Sequence, residues 1–368
     1  WTRMARAKTV VEAGERTRPA RLIDAVVQHM RDGESAESSI ITGDVVGAMD
    51  YISTQCLALD LALNMPGIPS GRLTVVRGWE SSGKSSLITH LLAETVRRGG
   101  IAVLLDAEFT FDADRAARMG LARDDLLLAQ PETAEEAIRL IEKSIKVIRE
   151  ESPDALATIV WDSVGGTPTK SEIEGNFGDA KAIGAHAKLI SQALRRITGQ
   201  ISKENIALVI VNQNKELVET GPFAGSADSS TMIARRPLQF HASTIIDMRK
   251  AQELRVGDKD SPAYGILSRA KITKNKCSNP FGKAEVKVRF DTGFDDDYAH
   301  FQAAVKLGMV VKKGTWYKMA SADESFHESD FGRILDEQPG LRESIAKAAR
   351  QKFWSETVRQ RFPEKEAA

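Results

Sequence analysis

Gly78-Trp79-Glu80-Ser81-Ser82-Gly83-Lys84-Ser85 fits the pattern G-x-x-x-x-G-K-[ST], and its surroundings decide how it is read. Leu73 to Val76 form a β-prone run before it, while Leu87, Leu91 and Leu92 begin an amphipathic helical run after it. In that context the stretch reads as a phosphate-binding loop. Its glycines let successive backbone N–H groups curl around a polyphosphate, and the following helix turns its positive end to the anion. Lys84 is then placed to reach the β- and γ-phosphates, and Ser85 to hold Mg²⁺.

A chain of 368 residues exceeds what one core usually holds, so a main domain of about 200 to 250 residues with smaller attachments is expected. With 42% hydrophobic and 28% charged residues it can bury a sizeable core. No run approaches the roughly 18 to 20 apolar residues of a membrane span, so no membrane association is expected. Arg3, Arg6 and Lys8 are followed by no apolar segment of a secretory signal. Cys56 and Cys277 are the only cysteines; they form no C-x-x-C pair, which fits a reducing cytoplasm and argues against a disulfide framework or zinc site. The net charge of zero does not announce nucleic acid, so such a role must come from local patches. Residues 1–32 and 340–368 each carry seven Lys/Arg against four Asp/Glu. Solvated helical faces explain both patches as well as binding does.

Outward from the loop, Arg18 to Met30 has helical spacing and precedes a Ser-rich link and the β-prone Ser39 to Thr42, an arm more than a core. The main domain begins near residue 50. After the loop's helix, Ile101 to Leu105 reads as a buried strand finishing at Asp106-Ala107-Glu108. A helix follows from Pro131, with Thr133 and Glu136 as a capping box and Ile138, Ile141, Ile145 and Ile148 as its inward stripe. The strand Ala157 to Trp161 ends in Asp162, and the helix Ala180 to Ile197 leads to the strand Ile206 to Val211, closed by Asn212-Gln213. This alternation predicts an α/β fold with a mostly parallel sheet covered on both faces. Thr244 to Asp247, Leu267 to Thr273 and Ala284 to Phe290 read as further strands, antiparallel in part because their connections are short. Beyond Asp295 short helices form a separate small domain.

The phosphate loop, Glu108, Asp162 and Gln213 therefore gather at the carboxyl edge of the sheet, where open α/β sheets bind ligands. Asp162 suits a Mg²⁺-holding carboxylate. An Asp closing a strand equally serves as a cap, but its place about 80 residues after the loop favours the metal role. Glu108 is positioned to orient and deprotonate an attacking water, and Gln213 to sense a γ-phosphate. Two irregular stretches leave the same edge: Glu174 to Asp179, and the long Asn214 to Pro237, which is too long for a merely connecting loop.

Together these residues resemble the RecA family of DNA strand-exchange recombinases, including phage members of the UvsX type. The likeness runs from about residue 50 to 320. Its carriers are Glu80 to Ser85, Asp106-Ala107-Glu108, Asp162-Ser163-Val164, Glu172-Ile173-Glu174-Gly175, Val211-Asn212-Gln213 and Lys274-Asn275-Lys276, in family order. The resemblance implies a RecA-type P-loop ATPase core over residues 51–294, a twisted sheet flanked by helices. An N-terminal polymerisation arm would span residues 1–50, and a small C-terminal α/β lobe residues 295–368. The implied activity is ATP-dependent, Mg²⁺-requiring pairing and exchange of single-stranded DNA with homologous duplex, on a helical homo-oligomeric filament, with mediator and single-strand-binding proteins as further partners.

Residue by residue, the resemblance assigns Gly78, Glu80, Ser81, Ser82, Gly83, Lys84, Ser85 and Ser86 to the phosphates, and Ser85 and Asp162 to the metal. Asp112, Arg115 and Phe290 fall at the base, with Arg115 standing where an adenine-stacking tyrosine is common. Glu108 activates water, Gln213 links the γ-phosphate to the second DNA loop, and Lys274 and Lys276 reach the neighbour's ATP. DNA contacts fall on Gly175, Asn176, Phe177, Gly178, Ser191, Arg195, Arg196, Phe223, Arg235 and Arg236. Ala234-Arg235 replaces a Gly pair common in the family, so a side-chain phosphate contact is expected there in place of a backbone one. No strongly acidic tail is present. Asp330-Phe331-Gly332 resembles a kinase triplet but lacks the other kinase elements. A ring-forming hexameric replicative helicase on the same fold would share the phosphate loop without needing the Glu172 to Gly175 motif. A non-hydrolysing DNA-binding accessory protein would not need Glu108.

Overall fold

The computed structural model of the chain describes residues 50–175, 180–202, 204–216, 230–231, 233–258, 260–354 and 358. The expected N-terminal arm, Asn176, Phe177, Gly178 and Phe223 lie outside the described residues.

Leu73 to Gly78 (β3) is buried on both faces, as its β-branched run requires of a central strand. Around it stand β4 (Ile101–Asp106), β5 (Leu126–Ala129), β6 (Ala157–Asp162), β7 (Ile206–Gln213), β10 (Thr244–Arg255), β11 (Ala263–Asn275), β12 (Lys283–Arg289) and β13 (Gly293–Phe294). The nine strands run in the order β13-β12-β11-β10-β3-β7-β6-β4-β5. From β10 to β5 every neighbour is parallel, and from β10 to β13 every pair is antiparallel. The short pairs β1 (Tyr51–Ile52) with β2 (Ile68–Pro69), and β8 (Lys215–Glu216) with β9 (Ser230–Thr231), lie outside this sheet.

Strand periodicity splits the core in two. Val76, Val209 and Val211 face one cluster with Leu87, Leu91 and Leu92 of α2 (Lys84–Arg97). Leu73, Val75, Leu208 and Ile210 face the other, with α4 (Ala134–Glu151) and α6 (Ala180–Ile201). The stripe Ile138, Ile141, Ile145 and Ile148 is buried as expected, each side chain contributing about 1.5–3 kcal/mol. The expected capping box at α4 is half formed. Thr133 accepts from the Glu136 N–H at 3.2 Å, but the Glu136 carboxylate accepts from the Glu132 N–H at 3.0 Å and not from the cap residue.

Helix α1 (Leu57–Leu63) starts at Cys56, whose side chain makes no cap bond. Asp296 supplies it, accepting from the Leu57 N–H at 2.8 Å. Asp296 opens α8 (Asp296–Leu307), which is followed by a three-stranded sheet of β14 (Val310–Lys313), β15 (Trp316–Met319) and β16 (Ser325–Phe326), and by α9 (Phe331–Glu337) and α10 (Leu341–Phe353). Phe301, Tyr317, Phe326 and Phe331 pack edge-on or tilted with ring centroids 4.8–6.4 Å apart. Phe331 is thus a core residue, which accounts for the kinase-like triplet. This cluster is continuous with the sheet face that carries α2. Between Arg77-Gly78 and the later elements lie the small helices α3 (Ala113–Arg118), α5 (Lys170–Glu174) and α7 (Arg235–His241).

His90 of α2 pins this side together. Its Nδ1 lies 2.8 Å from Gln55 Oε1, its Nε2 accepts from the Phe294 N–H at 2.8 Å, and its ring stacks on Phe294 at 4.8 Å. Gly293 makes the approach possible, since a Cβ there would stand 2.4 Å from His90 Nε2. Burial, then the charge of Arg115, pushes the His90 pKa from 6.5 to about 4. The unfolded chain therefore binds a proton that the folded one refuses between these values, and stability falls as pH drops through that window. The His90 component amounts to at most about 3 kcal/mol. Urea unfolding at pH 7 and pH 4.5 should show a larger loss for the wild type than for His90→Gln. Asp60 and Asp162, both pushed up to about 7, titrate in both proteins and cancel in that comparison. Parallel losses would remove His90 as the source.

Candidate functional site

The phosphate loop follows from one close approach. Gly78 ends β3 with φ 156°, and a Cβ there would lie 2.0 Å from the Met248 carbonyl oxygen of β10. The chain turns past β10, and Gly83 at φ 93° starts α2. Ser82 Oγ donates to the Trp79 carbonyl at 2.7 Å, tightening the turn. Lys84 Nζ donates to the carbonyls of Gly78 at 3.2 Å and Trp79 at 2.7 Å. Burial lowers its pKa, opposed by Asp162, Glu108 and Glu80.

Two carboxylates meet in register at adjacent strand ends, Asp106 of β4 opposite Asp162 of β6. Asp106 accepts from the N–H groups of Thr110 and Phe111 at 3.3 and 3.0 Å. Burial, then the negative charge of Glu108, raises the Asp162 pKa to about 7, with Lys84 opposing and Asp106 reinforcing. Asp162 and Glu108 both act on the Lys84 ammonium. The Asp162 carboxylate, and the Ser85 hydroxyl next to Lys84 in sequence, are hard-oxygen groups of the kind that Mg²⁺ takes. Among the described residues no group of three or more His, Cys, Asp or Glu forms an all-protein metal cage. Mg²⁺ characteristically binds through one or two carboxylates plus waters and phosphate oxygens.

Glu108, two residues past β4, is held by residues far away in sequence. Ser163 Oγ donates to its Oε1, and Gln213 Nε2 donates to both oxygens at 2.7 and 2.9 Å. Gly166 leaves room, because a Cβ there would come within 3.0 Å of Glu108 Cγ. In this structure the Gln213 amide, expected at a γ-phosphate, holds the Glu108 carboxylate. Ser163 is not among the site residues expected from the sequence; its place next to Asp162 marks it, since a residue just past a strand end shares that end's site.

Asp112, Arg115 and Phe290 are linked by hydrogen bonds. Asp112 caps α3 by accepting from the Arg115 N–H at 2.9 Å. Arg115 Nε donates to the Phe290 carbonyl at 2.7 Å, and Nη2 to Ser86 Oγ at 2.8 Å. Two in-plane donors are thereby fixed, which orients the guanidinium against the backbone of the half-exposed Phe290.

Lys274 and Lys276 are not brought to this edge. Lys274 pairs with Ile245, which pairs with Val75, three positions before Gly78 towards the amino end of β3. Their ammoniums donate to the Phe240 carbonyl at the end of α7, at 3.2 and 3.5 Å, and Lys274 also donates to the Gln239 carbonyl.

Among the expected DNA contacts, Gly175 is exposed at the end of α5. On α6, Ser191 is half-buried and Arg195 exposed, whereas Arg196 pairs with Glu142 of α4 at 2.6 Å. Arg235 and Arg236 are exposed in the first turn of α7. Ala234 before them takes the left-handed φ of 53°, a conformation that costs a Cβ-bearing residue about 1–2 kcal/mol. Asn212, at the end of β7, donates to the Ile233 carbonyl at 2.8 Å. The β8–β9 pair closes the base of the stretch between them. Among the described residues no helix is long and apolar enough to cross a membrane.

The model of the RecA N-terminal domain matches residues 24–295. Protein RecA of Acidothermus cellulolyticus is 34% identical over 324 residues, 88% of this chain and 87% of that protein. Protein RecA of Thermus thermophilus is 37% identical over 298 residues, 81% and 84% of the two chains. Protein RecA of Nostoc punctiforme is 36% identical over 305 residues, 83% and 81%. A family model over most of the chain, and relatives above 30% identity across most of both partners, carry the conclusion that the chain belongs to the RecA family.

Proposed function

We propose that the chain is an ATP-dependent homologous recombinase that hydrolyses ATP in response to DNA. The observation that carries this reading is the Gln213 to Glu108 contact. One strand end, β7, grips the carboxylate best placed to act on water and also opens into the stretch closed by β8 and β9. A change at the nucleotide is thereby felt at the second DNA loop. Membership of the RecA family favours this over a ring-forming helicase.

In this reading Lys84 and the loop N–H groups from Glu80 to Ser86 bind the phosphates of ATP, and Ser85 and Asp162 hold Mg²⁺, which supplies charge neutralisation at the phosphates. Asp112, Arg115 and Phe290 hold the base, with the Arg115 plane as a platform. Glu108 accepts a proton from the attacking water. Gln213 must leave Glu108 to contact a γ-phosphate, so its two positions are the switch. Lys274 and Lys276, remote from their own loop, complete the site of a neighbouring copy, which makes turnover depend on assembly. Among the described residues β5 is an edge strand, and with Leu127 and Leu128 exposed it offers backbone pairing to the N-terminal segment of another copy. The parts are then residues 1–50 as arm, 51–294 as ATPase core and 295–368 as C-terminal lobe, acting on single-stranded and homologous duplex DNA with mediator proteins as accessory partners.

Glu108→Gln should keep ATP-dependent DNA binding while hydrolysis falls by roughly two to four orders of magnitude; normal turnover in a phosphate-release assay would take Glu108 out of the reaction. Lys274→Ala or Lys276→Ala should lower DNA-stimulated hydrolysis by roughly a hundredfold. Both should shorten filaments seen by electron microscopy on single-stranded DNA with a non-hydrolysable ATP analogue, and filaments of normal length would contradict the cross-protomer role. Arg195→Ala should flatten the salt dependence of DNA binding by about one unit of slope. Arg196→Ala should change it little because Glu142 already neutralises that side chain; equal effects in a fluorescence-anisotropy salt series would refute the distinction.

A further inference from the structure

At the amino-terminal edge of β3 and β10, away from the phosphate loop, lies a second cleft of about 430 Å³. Arg72 stands ahead of β3, Thr198 near the end of α6, His241 at the end of α7, Ser243 ahead of β10, and Lys276 just past β11. No residue lining it is acidic. Arg72 donates to the Gly71 carbonyl at 3.1 Å and Lys276 to the Phe240 carbonyl at 3.5 Å. Neither forms an ion pair among the described residues. His241 is disfavoured as a cation, first by burial and then by Arg195, Lys276 and Lys274. Three positive side chains from two separate elements thus act on one imidazole, and no anion opposes them.

A guanidinium, an ammonium, an imidazole N–H and the Ser243 hydroxyl lining a small cleft are the donor set of a tetrahedral oxyanion, while Thr198 Oγ1 already donates to the Leu194 carbonyl at 2.6 Å. We propose that this cleft binds inorganic phosphate, held by Arg72, His241 and Lys276. Its role rests on the reading that Lys276 reaches the nucleotide of a neighbouring copy. Given that reading, the cleft lies directly behind the lysine, and phosphate cleaved at the joint has a second station before it escapes. Retention there keeps positive charge neutralised at the joint after hydrolysis, so phosphate departure, and not bond cleavage, loosens it.

The binding itself is testable without that reading. The full chain is saturated with ADP and Mg²⁺ to fill the phosphate loop and titrated with inorganic phosphate by calorimetry. One saturable site is expected, weakened roughly tenfold or more by Arg72→Ala and by His241→Ala and partly regained in Arg72→Lys. It should persist in Lys84→Ala, whose phosphate loop is disabled, so failure of the ATP-site reading is distinguishable from failure of this one. Thermal midpoints of each variant report on its fold. Affinity unchanged by both Arg72→Ala and His241→Ala overturns the proposal, as does binding that vanishes in Lys84→Ala. Competition by a single-stranded oligonucleotide that abolishes phosphate binding would assign these cations to DNA and overturn it too.

Discussion

Asp162 and Glu108 face the buried ammonium of Lys84 at the carboxyl edge of the sheet, with Asp106 beside Asp162, and much of the molecule serves to hold that arrangement. Parallel pairing of β4 and β6 forces two of the carboxylates side by side. The Gly78 turn brings Lys84 in beneath them, and Ser163 with Gln213 restrain the third. Burial, reinforced by repulsion from the neighbouring carboxylates, favours keeping a proton there, which is what raises Asp162 to about 7. A divalent cation relieves the same repulsion without the proton, so metal affinity and carboxylate ionisation are two sides of one equilibrium.

The two ends of the sheet carry different groups. At the carboxyl edge stand Asp106, Asp162, Glu108 and the phosphate-binding turn; at the amino edge stand Arg72, Lys274 and Lys276. If Lys274 and Lys276 meet the carboxyl edge of a copy, the contact is head-to-tail, and such contacts extend into filaments unless their rotation closes a ring.

Local features were legible in the sequence. The loop between β3 and α2, the stripe of α4 and the strand ends at Asp162 and Gln213 announce themselves within a few residues, because periodicity and turn chemistry are local. What lay hidden was long-range. Gln213 grips Glu108 across 105 residues, and Asp296 caps α1 across 239. Some strands also run beyond the apolar alternation that marks them. β10 continues through the exposed Arg249 to Gln252, which carry no apolar alternation and are paired through their backbone. β5 and the β14–β16 sheet are short and largely exposed, so no buried face marks them. The sequence motif gives no hint that Arg196 is already neutralised by Glu142, because charge pairing between helices depends on their packing.

The match to the RecA N-terminal domain stops at residue 295, yet the hydrophobic core does not. His90 fastens the phosphate-loop helix to β13, β13 runs straight into α8, and Asp296 of α8 closes the start of α1. Helices that look like an appendage in the linear map are therefore part of the wall against which α2 rests. A chain built this way has little freedom to gain, lose or exchange its C-terminal residues as a unit in evolution: new sequence there must preserve Phe301, Ile345 and their partners, Val310 and Tyr317 of the β14–β15 hairpin among them.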